Sequence, residues 1–268
     1  MREKLIKLTD TLKNLSSALI AFSGGVDSTF LLKIAHEVLG DKAAAVTVCS
    51  ELMPREEREE AQKIAQDLGV KHYLLELEVL NQACFKENMP DRCYHCKKII
   101  FAAVKKLARE HSLKWVLDGT NAEDLKDYRP GFKALKELEI RSPLLEAGFN
   151  KREIRLFSEV KGLPTWSKPS MACLASRVPY GQPVSREKLR QIEQGEKFLR
   201  ELGFTQCRLR HHDTLARLEF LPEEMELFWL KQQEIAEKVR GLGFSYVTLD
   251  LEGYQSGKMN RELEQNEK

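Results

Sequence analysis

The sequence predicts an α/β protein whose mostly parallel sheet has helices on both faces, followed by a smaller α+β part. Apolar runs of strand length alternate with amphipathic stretches of helix length over residues 1–162. Such alternation is typical of strand–helix–strand units and therefore of parallel strands. A second group of strands and helices follows over residues 185–268, after a proline-rich stretch.

The elements of the first part follow from apolar periodicity and from helix start and stop signals. Pro54 lies in a first helical turn that ends before Gly69, and Asn150 and Gly162 bracket another helix. We predict, in chain order, a first helix within 1–17, strands at 16–22, 43–50, 71–79, 114–120 and 139–146, and helices at 28–39, 54–69, 97–111 and 150–162.

Three domains or segments are expected: 1–162, a functional loop at 163–184 that carries Cys173, and 185–268 as a domain for substrate binding and oligomerisation. The loop contains four prolines and has no clear period, which is typical of functional loops. In the last part we predict helices at 185–202 and 222–241 and strands at 205–211, 215–220 and 245–251.

Composition excludes several classes of protein. The 43 Lys and Arg residues nearly balance 41 Asp and Glu residues, so nothing favours nonspecific binding to nucleic acid. No apolar run is long enough to cross a bilayer, and the amphipathic N-terminus lacks the features of a signal peptide. Six cysteines in 268 residues are too few for a disulfide scaffold. We therefore expect a cytoplasmic protein that does not bind membranes.

The stretch "LIAFSGGVDSTFLLKIA" (19–35) places a glycine loop between a strand and a helix. Backbone N–H groups at Ser23, Gly24 and Gly25, together with the helix start at Ser28, form a favourable site for an anion. The lysine of a Walker loop is missing, and Asp27 stands at the mouth instead. A carboxylate beside phosphates requires a cation between them, most simply Mg²⁺.

This S-G-G-x-D-S loop resembles that of the PP-loop ATP pyrophosphatases, whose fold is adenine nucleotide α-hydrolase-like. The resemblance implies that the loop, Ser23 to Ser28, binds the pyrophosphate part of ATP. A substrate oxygen would attack the α-phosphate, pyrophosphate would leave, and an adenylated substrate would result. Adenylation alone leaves open whether nitrogen or sulfur is the next nucleophile.

Cys93 and Cys96 are two thiols at chelate spacing near a helix start, in "PDRCYHC". The pair is compatible with a thioredoxin-type redox pair, a structural zinc site that recruits His95 or Cys84, or two incidental thiols. It is also compatible with an iron–sulfur cluster on three thiolates with one iron left open, Cys173 being the third ligand.

Five motifs together resemble the LarE family: "SGGVDS", "LDGTNAEDLKDYRPG", "WSKPSMACLASRVPYG", "RLRHH" and "YVTLDLEGYQSGKMN". The resemblance implies an ATP-dependent sulfur transferase that adenylates a carboxylate of pyridinium-3,5-biscarboxylic acid mononucleotide. Sulfur then displaces AMP to form a thiocarboxylate, on the way to the nickel-pincer nucleotide cofactor of lactate racemase. The resemblance also implies a homo-oligomer, with a hexamer as the suggested size.

Members of the family differ in the source of the transferred sulfur. Some members sacrifice the sulfur of the residue that matches Cys173, whereas members that also carry C-x-x-C resemble cluster-dependent thiolation enzymes. Because Cys93 and Cys96 are both present, we favour a [4Fe–4S] cluster on Cys93, Cys96 and Cys173 that delivers sulfide, and keep sacrificial Cys173 as the alternative. Cys49, Cys84 and Cys207 are interpreted as incidental thiols.

Other candidate residues gain their roles from the same resemblance. Arg208 and Arg210, two positions apart on a strand, suit a phosphate or carboxylate, and the family match favours the substrate phosphate over an exposed basic face. Glu196 matches a functionally important acid, with a solvated helix residue as the alternative. Arg177 is expected to face nucleotide or substrate, and Lys258 matches a family arginine.

Two further residues and one motif complete the set of candidates. Gln255 departs from an arginine that the family often has, which leaves the details of the phosphate pocket open. Asp118, which follows a strand, is a candidate second acid near Mg²⁺. The signature "DYRPG" (127–131) has no role that chemistry assigns.

Competing functions remain at this point. A tRNA thiolase of the same superfamily predicts a basic RNA-binding surface and extra zinc-binding cysteines, which the sequence lacks. An amidating ligase of the NAD or GMP synthetase type leaves the cysteines unexplained. A nucleotide-sensing module with a structural zinc needs four ligands and no pyrophosphate release.

Overall fold

The computed structural model of the chain describes residues 2–126, 130–170, 172–255 and 257–261. The chain divides into two compact units. The first contains Met1–Val79 and Asp91–Met171, and the second contains Leu80–Pro90 and Ala172–Lys268. The placement of Leu80–Pro90 with the second unit has no counterpart in the sequence pattern, and the boundaries at 162 and 184 stay predictions.

The first unit is built on a four-stranded parallel sheet, as the alternation of elements predicts. The strand order is β3-β2-β1-β4, with Ala18 of β1 paired to Ala43 on one side and to Trp115 on the other. The strands are β1 (Ala18–Ala21), β2 (Ala43–Cys49), β3 (Lys71–Glu76) and β4 (Trp115–Leu117).

Five helices of this unit form close to the predicted positions. Asn150 accepts a hydrogen bond from the Glu153 N–H and the Glu153 carboxylate accepts one from the Asn150 N–H, which forms a capping box. The helices are α1 (Arg2–Lys13), α2 (Val26–Leu39), α3 (Arg55–Asp67), α5 (Arg92–Glu110), α6 (Gly131–Glu137), α7 (Pro143–Glu146) and α8 (Lys151–Val160); α4 (Ala83–Glu87) belongs to the second unit. The sequence pattern predicts α1, α2, α3, α5 and α8 but not α6 and α7.

Both faces of the parallel sheet are buried. Successive residues of β1 point to opposite faces, so Ala18 and Ile20 enter one apolar cluster while Leu19 enters another. Phe30 of α2 packs in the first cluster, and Val104 of α5 packs in the second. Burial on both faces explains why the strand reads as a continuous apolar run.

The predicted fifth strand over 139–146 is wrong. Only Arg141 pairs with the sheet, as an isolated parallel bridge to Leu117, and Pro143 begins the short helix α7. Glu139 adopts a positive φ of 55°, which breaks an extended backbone, and Pro at the first helical turn favours the helix.

The second unit is the smaller α+β part. Its sheet has the order β5-β6-β7, with β5 antiparallel and β7 parallel to β6. The elements besides α4 are α9 (Arg186–Glu201), β5 (Cys207–His212), β6 (Leu215–Phe220), α10 (Met225–Gly241) and β7 (Tyr246–Leu249). Among the described residues of the chain, no helix is long and apolar enough to span a membrane.

Candidate active site

The glycine loop connects β1 to α2 at the carboxyl edge of the parallel sheet. Gly25 is the N-cap of α2, and Gly24 has a positive φ of 69°. A Cβ atom at Gly24 would lie 3.2 Å from the Cβ of Ala61 on α3. Because both the backbone angle and the space exclude a side chain, glycine is required here.

Two serine hydroxyls close this loop on itself. The Ser23 N–H donates to Ser28 Oγ at 3.3 Å, and the two Oγ atoms lie 3.2 Å apart. Ser28 Oγ also donates to the Gly25 carbonyl at 3.2 Å. These bonds fix the loop around the start of α2, where backbone N–H groups and the helix dipole favour an anion.

Lys151, at the first position of α8, supplies a positive charge that the loop sequence lacks. Its Nζ donates to Asp27 Oδ2, while Asp27 Oδ1 is buried without a hydrogen-bond partner among the described residues. Burial raises the pKa of Asp27 and the charge of Lys151 opposes that rise without cancelling it. A buried, unsatisfied carboxylate oxygen beside a phosphate loop fits a ligand for Mg²⁺.

Lys168 is a second lysine at the loop. Its Nζ donates to the Gly24 carbonyl at 3.2 Å and to the carboxylates of Glu57 and Glu60 at 2.8 and 2.7 Å. The side chain is 12% exposed, so this contact is largely shielded from solvent. The residue therefore connects the proline-rich stretch before Cys173 to the backbone of the phosphate loop.

The residues that follow β4 support the start of α2. A Cβ atom at Gly119 would lie 3.1 Å from the backbone nitrogen of Ser28, a tight contact that favours glycine at this position. Asp118 accepts hydrogen bonds from the hydroxyls of Thr120 and Ser142, both at 2.5 Å. Those bonds tie two loops together, and the role of Asp118 near Mg²⁺ stays a prediction.

The cysteines of the predicted cluster differ from the other thiols in exposure. Cys93 and Cys96 are the second and fifth residues of α5, three positions apart and hence on one face. Cys93 and Cys173 are exposed and Cys96 is half-buried. Three accessible thiols fit a three-thiolate iron–sulfur cluster in donor type. Within the described ranges, no group of three or more His, Cys, Asp or Glu side chains is arranged to hold a metal.

An alkylating reagent is expected to modify the exposed thiols and to leave the buried ones unmodified. Burial raises the pKa of Cys207 to about 12 and also raises the pKa of Cys49. Since the thiolate is the nucleophile, both should stay unmodified at mildly alkaline pH while Cys93 and Cys173 react. Peptide mass spectrometry of the native protein measures this order, and denatured protein, in which all six thiols react, is the control. Early labelling of Cys207 would contradict the burial shown here.

Arg177 and Glu196 form a buried ion pair in the second unit. Arg177 Nε and Nη2 donate to the two carboxylate oxygens of Glu196, both at 2.9 Å, with side-chain exposures of 0% and 2%. Burial would raise the pKa of Glu196, but the charge and hydrogen bonds of Arg177 outweigh it and lower the pKa. The alternative of a solvated Glu196 is wrong.

The same arginine holds the loop that carries Cys173. Arg177 Nη1 donates to the carbonyls of Ala172 and Cys173, at 2.6 and 3.1 Å, and to Ser176 Oγ at 3.0 Å. Glu196 therefore acts on the backbone of Cys173 through Arg177. A direct contact of Arg177 with nucleotide or substrate stays a prediction.

Arg208 and Arg210 are buried, at 4% and 8% exposure, so the alternative of an exposed basic face is wrong. Arg210 donates to both carboxylate oxygens of Glu219, at 2.9 and 2.8 Å, and to the Ser176 carbonyl at 2.9 Å. The Arg208 guanidinium lies 4.9 Å from the ring centre of Tyr254. Burial is the main cause that lowers the pKa of Arg208, and the charge of Arg177 lowers it further.

Lys258 joins the same network of charges. Its Nζ lies 2.6 Å from the carboxylate of Asp250, which also pairs with Arg217, and Arg217 in turn lies 3.3 Å from Glu219. Gln255, at the position where the family often has arginine, accepts a hydrogen bond from Arg261. Residues 127–129 of the "DYRPG" signature lie outside the described residues.

The phosphate loop and the pair Cys93 and Cys96 lie in the first unit, whereas Cys173 lies in the second, so neither unit holds all three proposed cluster thiols. The phosphate-loop residues are contiguous in the first unit, whereas Arg177, Glu196 and Arg210 hold the Cys173 loop in the second. The sequence analysis missed Lys151, Lys168, Gly119 and Glu219. Gly119 and Lys168 lie within quoted motifs but were given no role, and Glu219 left a signal as a charge within the apolar strand pattern of "LEF".

Comparisons with known proteins identify the family. The family model for asparagine synthase matches residues 14–219. An uncharacterized protein of Synechocystis is 43% identical over 265 residues, covering 98% of this chain and 99% of that protein. The pyridinium-3,5-bisthiocarboxylic acid mononucleotide synthase of Lactiplantibacillus plantarum is 39% identical over 261 residues, covering 97% and 95%. An uncharacterized protein of Methanocaldococcus jannaschii is 32% identical over 257 residues, covering 95% and 98%.

The parallel sheet, the glycine loop and the family match define an ATP-using protein of the PP-loop class, which works with Mg²⁺. Within that class, the chain belongs to the LarE family of ATP-dependent sulfur transferases. The expectations of a PP-loop fold and of this family are therefore confirmed.

Proposed function

We propose that the protein adenylates a carboxylate of pyridinium-3,5-biscarboxylic acid mononucleotide with ATP and converts it to a thiocarboxylate. The observation that carries this proposal is the match over 97% of the chain to a protein named pyridinium-3,5-bisthiocarboxylic acid mononucleotide synthase. The phosphate loop and the accessible thiols supply the two kinds of group that such a reaction requires.

In the first step, a carboxylate oxygen of the substrate attacks the α-phosphorus of ATP and pyrophosphate leaves. The backbone of Ser23 to Gly25 binds the departing pyrophosphate at the start of α2. Asp27 would hold Mg²⁺ through its unsatisfied oxygen, and Lys151, which now donates to the other oxygen of Asp27, would supply a second positive charge beside the phosphates. The chemistry is favourable because AMP is a far better leaving group than oxide.

In the second step, a sulfur nucleophile attacks the activated carbonyl carbon and AMP leaves, which forms the thiocarboxylate. The assignment of Cys173 to this step is supported by its exposed thiol, on a turn whose carbonyls accept hydrogen bonds from two buried arginines, Arg177 and Arg210. A cluster bound by Cys93, Cys96 and Cys173 would supply sulfide at an iron that has no protein ligand. In the alternative, the Cys173 thiolate displaces AMP to form a thioester, and elimination then breaks the Cβ–Sγ bond of Cys173, which releases the thiocarboxylate and leaves dehydroalanine at position 173.

Substrate recognition is assigned to the second unit. Arg208 lies over the face of Tyr254, and its Nη1 donates to the carbonyl of Cys207 at 2.7 Å. We assign the substrate phosphate to Arg208 and to the remaining N–H groups of Arg210, with Lys258 adding charge nearby. A bidentate phosphate contact would offset the burial of the Arg208 charge.

Replacement of Cys93 by alanine distinguishes the two sulfur sources. We expect Cys93→Ala to release pyrophosphate at the normal rate but to lose repeated formation of thiolated product, because one of three proposed ligands is gone. The measurement follows pyrophosphate and product separately, after reconstitution with iron and sulfide without oxygen. Cys84→Ala, which removes a half-buried thiol from α4, is the control. Equal multiple turnover by Cys93→Ala would overturn the cluster, whereas one thiolation per chain in both proteins, with Cys173 lighter by its sulfur, would indicate sacrificial Cys173.

A further inference from the structure

Three side chains and one peptide group form a chain of contacts at the end of β1. Thr47 Oγ1 on β2 lies 2.7 Å from the carbonyl oxygen of Phe22, the residue just before the phosphate loop. His72 Nε2 on β3 lies 2.8 Å from the same hydroxyl. The rings of His72 and Phe22 meet edge to face at 5.9 Å, and Thr47 is fully buried.

The directions of these hydrogen bonds follow from the inventory of protons. A carbonyl only accepts, so the single hydroxyl proton of Thr47 goes to Phe22. The Thr47 oxygen must then accept from His72, whose Nε2 carries the hydrogen. Neutral imidazole in the Nε2–H tautomer and imidazolium both satisfy this requirement. Donation therefore runs from His72 to the Thr47 hydroxyl, and from that hydroxyl to the Phe22 carbonyl.

Both ends of one peptide group are consequently held by side chains. The carbonyl of the Phe22–Ser23 peptide accepts from Thr47, and its N–H, on Ser23, donates to Ser28 Oγ at 3.3 Å. A peptide is planar, so fixing the carbonyl fixes the direction of the N–H. This peptide is the first of the phosphate loop, and its rotation would change where the following N–H groups point.

We propose that Thr47, oriented by His72, is a positioning residue for ATP binding in this protein. Neither side chain belongs to the phosphate loop, and both act through the backbone of Phe22. The proposal rests on the assignment of Ser23 to Ser28 as the ATP phosphate site. A preorganised loop binds phosphate without first ordering its peptides, so loss of this contact weakens ATP binding.

The test is the dependence of pyrophosphate release on ATP concentration. Thr47→Val, which keeps size and branching but loses the hydroxyl, should raise the KM for ATP about threefold to tenfold, the range of one neutral hydrogen bond. The kcat should change less, and Thr47→Ser should restore the KM. Thr9→Val, which removes a comparable hydroxyl bond to Leu5 within α1, is the matched control and should leave the KM unchanged.

A second pair of variants covers the case in which Thr47→Val fails to fold. His72→Phe removes the donor and should raise the KM for ATP, whereas His72→Gln keeps an N–H donor and should restore it. Ser28→Ala tests the phosphate site itself. An altered KM in Ser28→Ala with normal values in Thr47→Val and His72→Phe would overturn the positioning role alone. A normal KM in Ser28→Ala would overturn the assignment of the loop.

Discussion

Replacement of Cys173 by serine is expected to abolish the thiolated product and to leave pyrophosphate release intact. Cys173 lies in the second unit, whereas the hydrogen bonds that close the phosphate loop join Ser23, Gly25 and Ser28 of the first unit. Both proposed sulfur sources need this thiol, either as donor or as cluster ligand. The product, measured by mass spectrometry, should fall below detection.

Two comparisons make this result specific to Cys173. Cys84→Ser changes another thiol that is not fully buried and should retain product formation. The thermal unfolding midpoint of Cys173→Ser should stay close to that of the unmodified protein, because an exposed side chain contributes little to stability. Normal amounts of thiolated product from Cys173→Ser would refute both sulfur sources at once.

Replacement of Glu196 by alanine is expected to destabilise the fold by about 3–5 kcal/mol, the usual cost of removing one partner of a buried ion pair. Arg177, with 0% side-chain exposure, would keep a buried charge without its carboxylate. The Leu209 N–H would also lose its acceptor, which lies at 3.1 Å. Urea unfolding at neutral pH measures the difference in free energy of unfolding. Glu59→Ala, in an exposed pair with Arg55, should change it by less than about 1 kcal/mol.

The pH dependence has a definite sign. Glu196 has a lowered pKa in the folded protein, so its stabilising effect is complete above the unfolded value of 4.5 and disappears as the pH falls through the folded pKa. The difference in free energy of unfolding between the unmodified protein and Glu196→Ala should therefore become smaller as the pH falls. The double variant Arg177→Met, Glu196→Leu should lose less stability than Glu196→Ala. A larger loss in the double variant would contradict the uncompensated-charge explanation.

Local signals predicted much of the fold. The caps at Asn150 and the glycines after α2 and α3 mark helix ends, and the apolar runs mark the four parallel strands. The error at 139–146 arose because an apolar pattern does not reveal the positive φ of Glu139. The assignment of Leu80–Pro90 to the second unit depends on contacts such as those from Asn88 to the carbonyls of Pro179 and Gln182, which no local pattern encodes.

The candidate site was predictable where a motif is contiguous and not where it is assembled from distant residues. Ser23 to Ser28 carry their chemistry in one short stretch, so the sequence predicted them together. Lys151 lies 124 positions from Asp27, and Lys168 lies 144 positions from Gly24. Nothing in either local sequence indicates those pairings. Burial likewise excludes a solvated Glu196 and shows that it pairs with Arg177, a contact between positions 19 apart that no local pattern indicates.

The most direct test is one reaction with two products measured together. The protein, reconstituted with iron and sulfide without oxygen, is incubated with ATP, Mg²⁺ and pyridinium-3,5-biscarboxylic acid mononucleotide. We predict release of pyrophosphate together with a substrate in which one carboxylate oxygen is replaced by sulfur, seen as the corresponding mass increase. Pyrophosphate release without any sulfur in the product, or transfer of nitrogen instead, would contradict the assignment as a sulfur transferase acting on this substrate.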